Sequence, residues 1–276
     1  MNSTAPSHFT GDFNGPMGPA GMVFPAAHVY VDAVLWAIVA VLVGMALYEL
    51  IKRRSPLGLI LLIGGGIALF NEPVDDILGL VWHPRINANI VIDTIGPVPL
   101  WGLPTYIIFF GGIPWLLLRE LQRLQFDLRK FWIGIAITFV LDLLIELPVM
   151  ALGLYVYYPV GQVPMTIFGF PLYWLLINTP GPILCAAVLF ICPEYFRGWR
   201  KPFLVLLPII TDSACSIAVG LPVYTALRTP GATELMQWGG ALLSCAIGML
   251  LLDALASLIL AHTRRLHQTA GHSPRA

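Results

Sequence analysis

Apolar residues run in long blocks along this chain, without the short alternation of surface strands, and polar residues gather mainly between the blocks. A helix needs about 20 apolar residues to cross the hydrocarbon layer of a bilayer. Seven segments meet that length: Val29–Ile51, Pro56–Trp82, Pro99–Leu118, Phe131–Leu154, Pro171–Cys192, Phe203–Val223 and Leu235–His262. The pattern predicts an all-α polytopic membrane protein with seven transmembrane helices. Residues 1–28, rich in Gly, Pro, Ser and Asn and without Lys or Arg, read as a disordered arm and not as a signal peptide. Residues 29–262 then form the transmembrane domain and 263–276 a cytoplasmic tail. No internal repeat is visible.

Composition agrees: 58% of the 276 residues are hydrophobic and 11% charged, against roughly a quarter charged in soluble domains. Mean hydropathy is +0.81. The 15 basic and 15 acidic residues cancel, so nothing in the balance suggests a nucleic-acid partner. Their distribution is uneven. Thirteen Lys and Arg follow the first, third, fifth and seventh segments, and only Arg85 and Arg228 fall on the alternate side. The positive-inside bias therefore predicts an outside N-terminus, a cytoplasmic C-terminus and a multi-pass protein of the cell membrane. The four cysteines lie in apolar runs without metal or disulfide spacing and read as buried packing residues.

Acids inside the segments carry the candidate chemistry, since each ionisable group in a bilayer costs roughly 2.5–3.5 kcal/mol on insertion scales. Those away from the first segment, whose Asp32 and Glu49 lie at its ends, are Glu72, Asp75, Asp76, Asp142, Glu146, Asp212 and Asp253, and no Lys or Arg lies deep enough to pair with them. Glu72, Asp75 and Asp76 share one helix face, as do Asp142 and Glu146. With the predicted orientation both sets fall in the outer half of the membrane, where they can meet in one cavity, with Asn178 and Asp212 near the same depth. Asp253 sits deeper and is the weakest member. Several carboxyls in an apolar cavity are not expected to ionise together, because desolvation and like-charge repulsion both oppose it. One protonated and one ionised carboxyl then form an acid and base pair that can protonate a carbonyl, alkene or epoxide and later remove a proton.

On this reading Glu72 and Glu146 are the candidate acid and base, with Asp76 and Asp142 tuning them. Asp75, Trp82, His83, Trp101, Tyr106, Asn178 and Asp212 are candidate substrate contacts. A structural role, orienting helices through hydrogen bonds, stays open for Asp142 and Asp212. Magnesium held by Asp75 and Asp76 would suit a diphosphate substrate, but only Arg85 lies near as a basic ligand, so no metal or other cofactor is expected. His83 reads first as an interfacial or supporting residue, with a proton relay and, last, a metal ligand left open. The aromatic residues Trp82, Trp101, Tyr106, Tyr155, Tyr157, Tyr158, Tyr173 and Trp174 read mostly as interface anchors. Gly64, Gly65 and Gly66 read as close helix contacts and not as a phosphate loop.

The stretch Glu72-Pro73, Asp76, Gly79, Trp82 and Pro84, followed by Pro99-Leu100-Trp101, Tyr106 and Gly111-Gly112, resembles the avermectin-type spirocyclase (AveC-like) family of integral membrane proteins. The likeness covers residues 65 to 115. It implies a membrane enzyme that closes a dihydroxy-ketone polyketide into a spiroketal, with dehydration in some members, and it supplies no catalytic residue set. Two alternatives remain open on the sequence. One is a membrane terpene or meroterpenoid cyclase acting on an isoprenoid epoxide or alkene. The other, from a different class, is a proton-coupled transporter using the acids as a relay; a seven-helix receptor or scaffold would leave them without chemistry.

Overall fold

The structure, a computed structural model, describes residues 22–158 and 162–271. Seven helices in it are long and apolar enough to cross a membrane: α1 (His28–Arg53), α2 (Leu57–Gly79), α3 (Gly102–Leu121), α4 (Leu128–Ala151), α5 (Trp174–Ile191), α6 (Gly198–Arg228) and α7 (Glu234–Thr269). The expected segments are all present, with shifted ends. The second stops at Gly79 and not at Trp82, because Leu80 adopts a left-handed conformation (φ 64°) and donates its N–H to Asp76 O. The sixth begins earlier, as a 3₁₀ stretch over Gly198–Leu206. The seventh continues beyond His262, so most of the expected tail is helical and His267 reaches the Leu124 carbonyl at 2.8 Å.

Prolines break several of these helices into pieces, since each removes a backbone donor. In α2 a 3₁₀ turn, Leu69–Asn71, precedes Pro73 and joins two α-helical parts. In α3 a π-helical turn, Ile107–Gly112, leads into the part that begins Ile113-Pro114. Such turns recur at functional sites because they rotate side chains out of the regular helical row. Pro180 divides α5 after Asn178-Thr179.

Short strands cap one end of the bundle. β1 (Val81–Trp82) pairs antiparallel with β4 (Val156–Tyr157), joining the chain after α2 to the chain after α4. β2 (Ile90–Asp93) pairs with β3 (Pro97–Pro99), and β5 (Thr166–Ile167) with β6 (Phe170–Pro171). Residues 1–21 of the arm expected to be disordered lie outside the described residues. Its last part is fixed: Val23 bridges to Ile86, and Phe24 is buried and donates its N–H to Ile86 O at 2.8 Å.

The core divides between the two ends. Leu61, Leu62, Trp115, Leu118, Ile183 and Leu252 belong to the cluster at the end opposite the cap. There Glu49 accepts from Trp115 Nε1 at 3.3 Å and lies 3.2 Å from Arg119 Nε, which ties α1 to α3. Leu154, Phe170, Tyr173, Trp174 and Tyr224 belong to the cluster beneath the cap. Helix α5 is the most enclosed, with 72% of its span buried, and α4 the least, with 22%. Among the four free cysteines Cys185 and Cys215 are buried as expected, whereas Cys192 is exposed just after α5.

The expected close glycine contacts are present at Gly64 and Gly65, while Gly66 has more room. A Cβ on Gly65 would lie 2.6 Å from Gly111 N and 2.8 Å from Gly111 Cα, so α2 and α3 meet backbone to backbone. Gly65→Val is expected to destabilise the fold by about 1–3 kcal/mol, the usual cost of overpacking, and to lower Tm in detergent by several degrees. Gly44→Ala, with nothing within 4 Å of the added carbon, should leave Tm nearly unchanged.

Candidate functional site

The site begins with the left-handed turn at Leu80, which ends α2 directly after its acidic face. Pairing of Val81 with Tyr157 and Trp82 with Val156 turns the chain over that face, and His83 follows at once. His83 is thereby buried to 2% exposure, with Nε2 3.3 Å from Asp76 Oδ2 and 3.8 Å from Glu72 Oε1. Its ring packs at an angle against the parallel pair Trp101 and Tyr155, with centroids 5.8 Å and 5.7 Å away and 6.1 Å between the pair. Two expectations need correction here. His83 is not an interfacial side chain, and the acids do have a cationic neighbour. Burial opposes the imidazolium, but the charges of Asp76 and Glu72 outweigh it and push the His83 pKa up to about 10.

A cavity of about 80 Å³, room for a few water-sized groups, lies against this corner. Its wall includes Glu72, Asp75 and Asp76 from α2, Asp142 and Glu146 from α4, and Asn178 from α5. His83, Trp101 and Tyr106 complete the expected members. The two acidic faces therefore do meet, at the common depth that the predicted orientation allowed.

Trp82 and Asp212 are not part of the cavity wall. Trp82 belongs to β1, where Val81 lines the cavity in its place. Asp212 is buried between α6 and α2, where Asn71 Nδ2 donates to its Oδ2 at 2.7 Å; Asn71 Oδ1 in turn accepts from Ser213 Oγ at 2.7 Å. These bonds tie Asp212 to α2, away from the cavity wall. Asp253 lies exposed on the outward side of α7, away from the cavity.

Tyrosines supply the donors that the acids need. Tyr106 donates to Glu72 Oε2 at 2.6 Å, Tyr155 donates to Glu146 Oε2, and Tyr224 Oη reaches Asp75 Oδ1 at 3.5 Å. Burial, and then the Glu146 charge, push the Tyr155 phenol well above its usual range, so it remains a donor. Trp101, Tyr106, Tyr155, Tyr157, Tyr173 and Trp174, expected as membrane-interface anchors, are all buried; only Trp82 and Tyr158 keep intermediate exposure. The cap explains Tyr155 and Tyr157, which the β1–β4 pairing folds over the acids, while Tyr106 and Trp174 reach the cavity from spanning helices. Sequence reasoning missed Tyr155 and Tyr157 as site residues, and Thr105, Phe170 and Trp174 as lining. The available signal was Tyr155 nine residues after Glu146, just past the helix end.

Glu72, Asp76 and His83 each offer a metal-ligand atom, all within 4.8 Å of one another. In chemical terms the cavity combines carboxyl groups able to exchange protons, phenol donors that orient them, and aromatic faces able to flank a cationic centre. No family model, curated protein or solved structure matches the chain. The fold and site together define a bundle of seven apolar helices around a capped, acid-lined cavity.

Asn71→Ala removes the donor to buried Asp212 and is expected to cost about 1–3 kcal/mol, the penalty of an unsatisfied buried polar group. Thermal unfolding in detergent should show a Tm several degrees below that of Val74→Ala, which alters an exposed position on the same helix.

Proposed function

We propose that this chain is a multi-pass protein of the cell membrane, N-terminus outside and C-terminus cytoplasmic, that catalyses acid/base cyclisation of a lipophilic substrate. The observation that carries the reading is the convergence of Glu72, Asp76, Asp142 and Glu146 on one aromatic-walled cavity. Intramembrane acids normally serve function, because their burial is costly. Multi-pass insertion is supported by the seven apolar spans, and orientation by the thirteen-to-two basic bias.

The resemblance to avermectin-type spirocyclases suggests spiroketal closure of a dihydroxy-ketone polyketide. In that reaction Glu146 or Glu72 protonates the ketone oxygen while the other removes the proton of the first attacking hydroxyl, giving a hemiketal. Protonation of the hemiketal hydroxyl then releases one water and leaves an oxocarbenium ion, flanked by Trp101 and Tyr155. The second hydroxyl attacks, and its proton returns to a carboxylate. The sum is substrate to spiroketal plus water, with both carboxyls restored and no redox change.

A lipophilic substrate fits a second feature. A groove of about 750 Å³ lies between α3 and α4, lined by Ile113, Leu117, Ile135, Thr138 and Leu141. Ile113 is one helical turn from Phe109, and Thr138 one turn from Asp142, both at the acid cavity. The small cavity takes the reacting centre, and the groove takes the apolar remainder of the molecule.

Comparison of lipid-soluble metabolites from cells with and without the chain tests this reading. The intact chain should give a product one water lighter than its precursor. Glu72→Gln and Glu146→Gln should each lower the product about 100-fold or more, with precursor accumulating and the proteins still monodisperse. Unchanged product in both variants, or substrate-dependent proton flux in vesicles without any product, would contradict it.

A further inference from the structure

Glu72, Asp76 and His83 sit at one corner of the cavity in an arrangement that proton transfer alone does not require. We propose that they form a binding site for one divalent transition cation of the zinc, manganese(II) or iron(II) kind, open on its cavity side to a water or a substrate oxygen.

Three ligand-type atoms meet within 4.8 Å, with His83 Nε2 3.3 Å from Asp76 Oδ2 and 3.8 Å from Glu72 Oε1. A cation about 2.0–2.2 Å from each ligand holds neighbouring ligands roughly 3.0–3.6 Å apart, so small side-chain shifts complete the site. An independent observation points the same way. His83 is 2% exposed, yet its Nε2 and Asp76 Oδ2 face each other at 3.3 Å as an ion pair without hydrogen-bond geometry, and neither atom has another hydrogen-bond partner. Buried polar atoms are rarely left so, and convergent unsatisfied ligand atoms are what a cation would satisfy.

The surroundings hold the ligands in place. Trp101 and Tyr155 fix the imidazole ring, and Tyr106 donates to Glu72 Oε2, leaving Oε1 free to face the cation. Outer contacts of this kind orient metal ligands and raise affinity. Charge also fits. Two carboxylates, a neutral imidazole and a divalent cation sum to zero, and the cation would take over the compensation that a protonated His83 gives in a cavity wall without Lys or Arg. An imidazole ligand favours zinc, iron or manganese over calcium or magnesium. The existence of the site is independent of the cyclase reading, but its role rests on it: the cation would polarise the substrate carbonyl, Glu72 would serve as a ligand, and Glu146 and Asp142 would retain proton transfer.

The test reads metal directly and needs no substrate. The full chain, purified in detergent without chelator from cells supplied with zinc, manganese and iron, should carry close to one metal per chain by mass spectrometry. After stripping with chelator, Co2+ should bind at one equivalent and give visible d–d absorption. His83→Ala and Asp76→Asn should lower Co2+ affinity at least about tenfold; Tyr106→Phe, which keeps all three ligands, should weaken it by about tenfold. Metal binding that persists unchanged in monodisperse His83→Ala protein overturns the proposal, as does wild-type protein that takes up no Co2+. Glu146→Gln separates the two readings, since it should lose product while holding the metal. Metal without product in the wild type contradicts the cyclase alone, and product from metal-free protein contradicts the carbonyl-polarising role given to the cation, while Co2+ uptake alone decides the site.

Discussion

The site depends on one contact, the burial of His83 against the carboxylates of Glu72 and Asp76. In an apolar bundle a polar side chain has no water to fall back on, and its partners must come from the protein. Placing an imidazole beside two acids brings opposite charges together, although Nε2 and Asp76 Oδ2 still lack a hydrogen bond of good geometry. The position follows from the chain itself: α2 ends at the left-handed Leu80, β1 locks onto β4, and the next residue is His83. The same strand pairing carries Tyr155 and Tyr157 over from the end of α4, so one small sheet assembles the polar corner and its aromatic cover.

Irregular helices make room for this arrangement. A continuous α2 would keep a uniform rotation along its length, whereas the 3₁₀ turn before Pro73 adjusts the direction of Glu72 and Asp76 relative to the glycine-packed half. The π turn in α3 lies beside it and contributes Phe109 and Phe110 to the cavity wall. Gly65 against Gly111 brings the two broken helices close enough for Tyr106 to bond Glu72. Helix α4 carries Asp142 and Glu146 while burying little of its own surface, which leaves the groove beside α3 open.

Much of this was legible before the structure. Span number followed from hydropathy, because burial in an apolar medium imposes length and composition together. The grouping of the acids on two faces followed from i, i+3 and i+4 spacing, and the predicted orientation put both faces at a depth where they could meet. What could not be read was the fold of the connections. Tyr155, Tyr157 and Trp174 looked like interface anchors, since aromatic residues near span ends usually are, and it is the β1–β4 pairing that carries Tyr157, with Tyr155 beside it, over the acids. His83 looked peripheral for the same reason. Asp212 looked like a site residue because depth was its only visible property, and its bond to Asn71, 141 positions away, is a tertiary fact.

The most direct measurement of the central contact is a double-mutant cycle between His83 and Asp76, using His83→Gln, Asp76→Asn and the combination, with unfolding followed in detergent and chelator present. The account predicts strong non-additivity, with a coupling of about 1–3 kcal/mol between the two side chains. Additivity within about 0.5 kcal/mol would contradict it, since two side chains in contact at the heart of the site cannot be energetically independent.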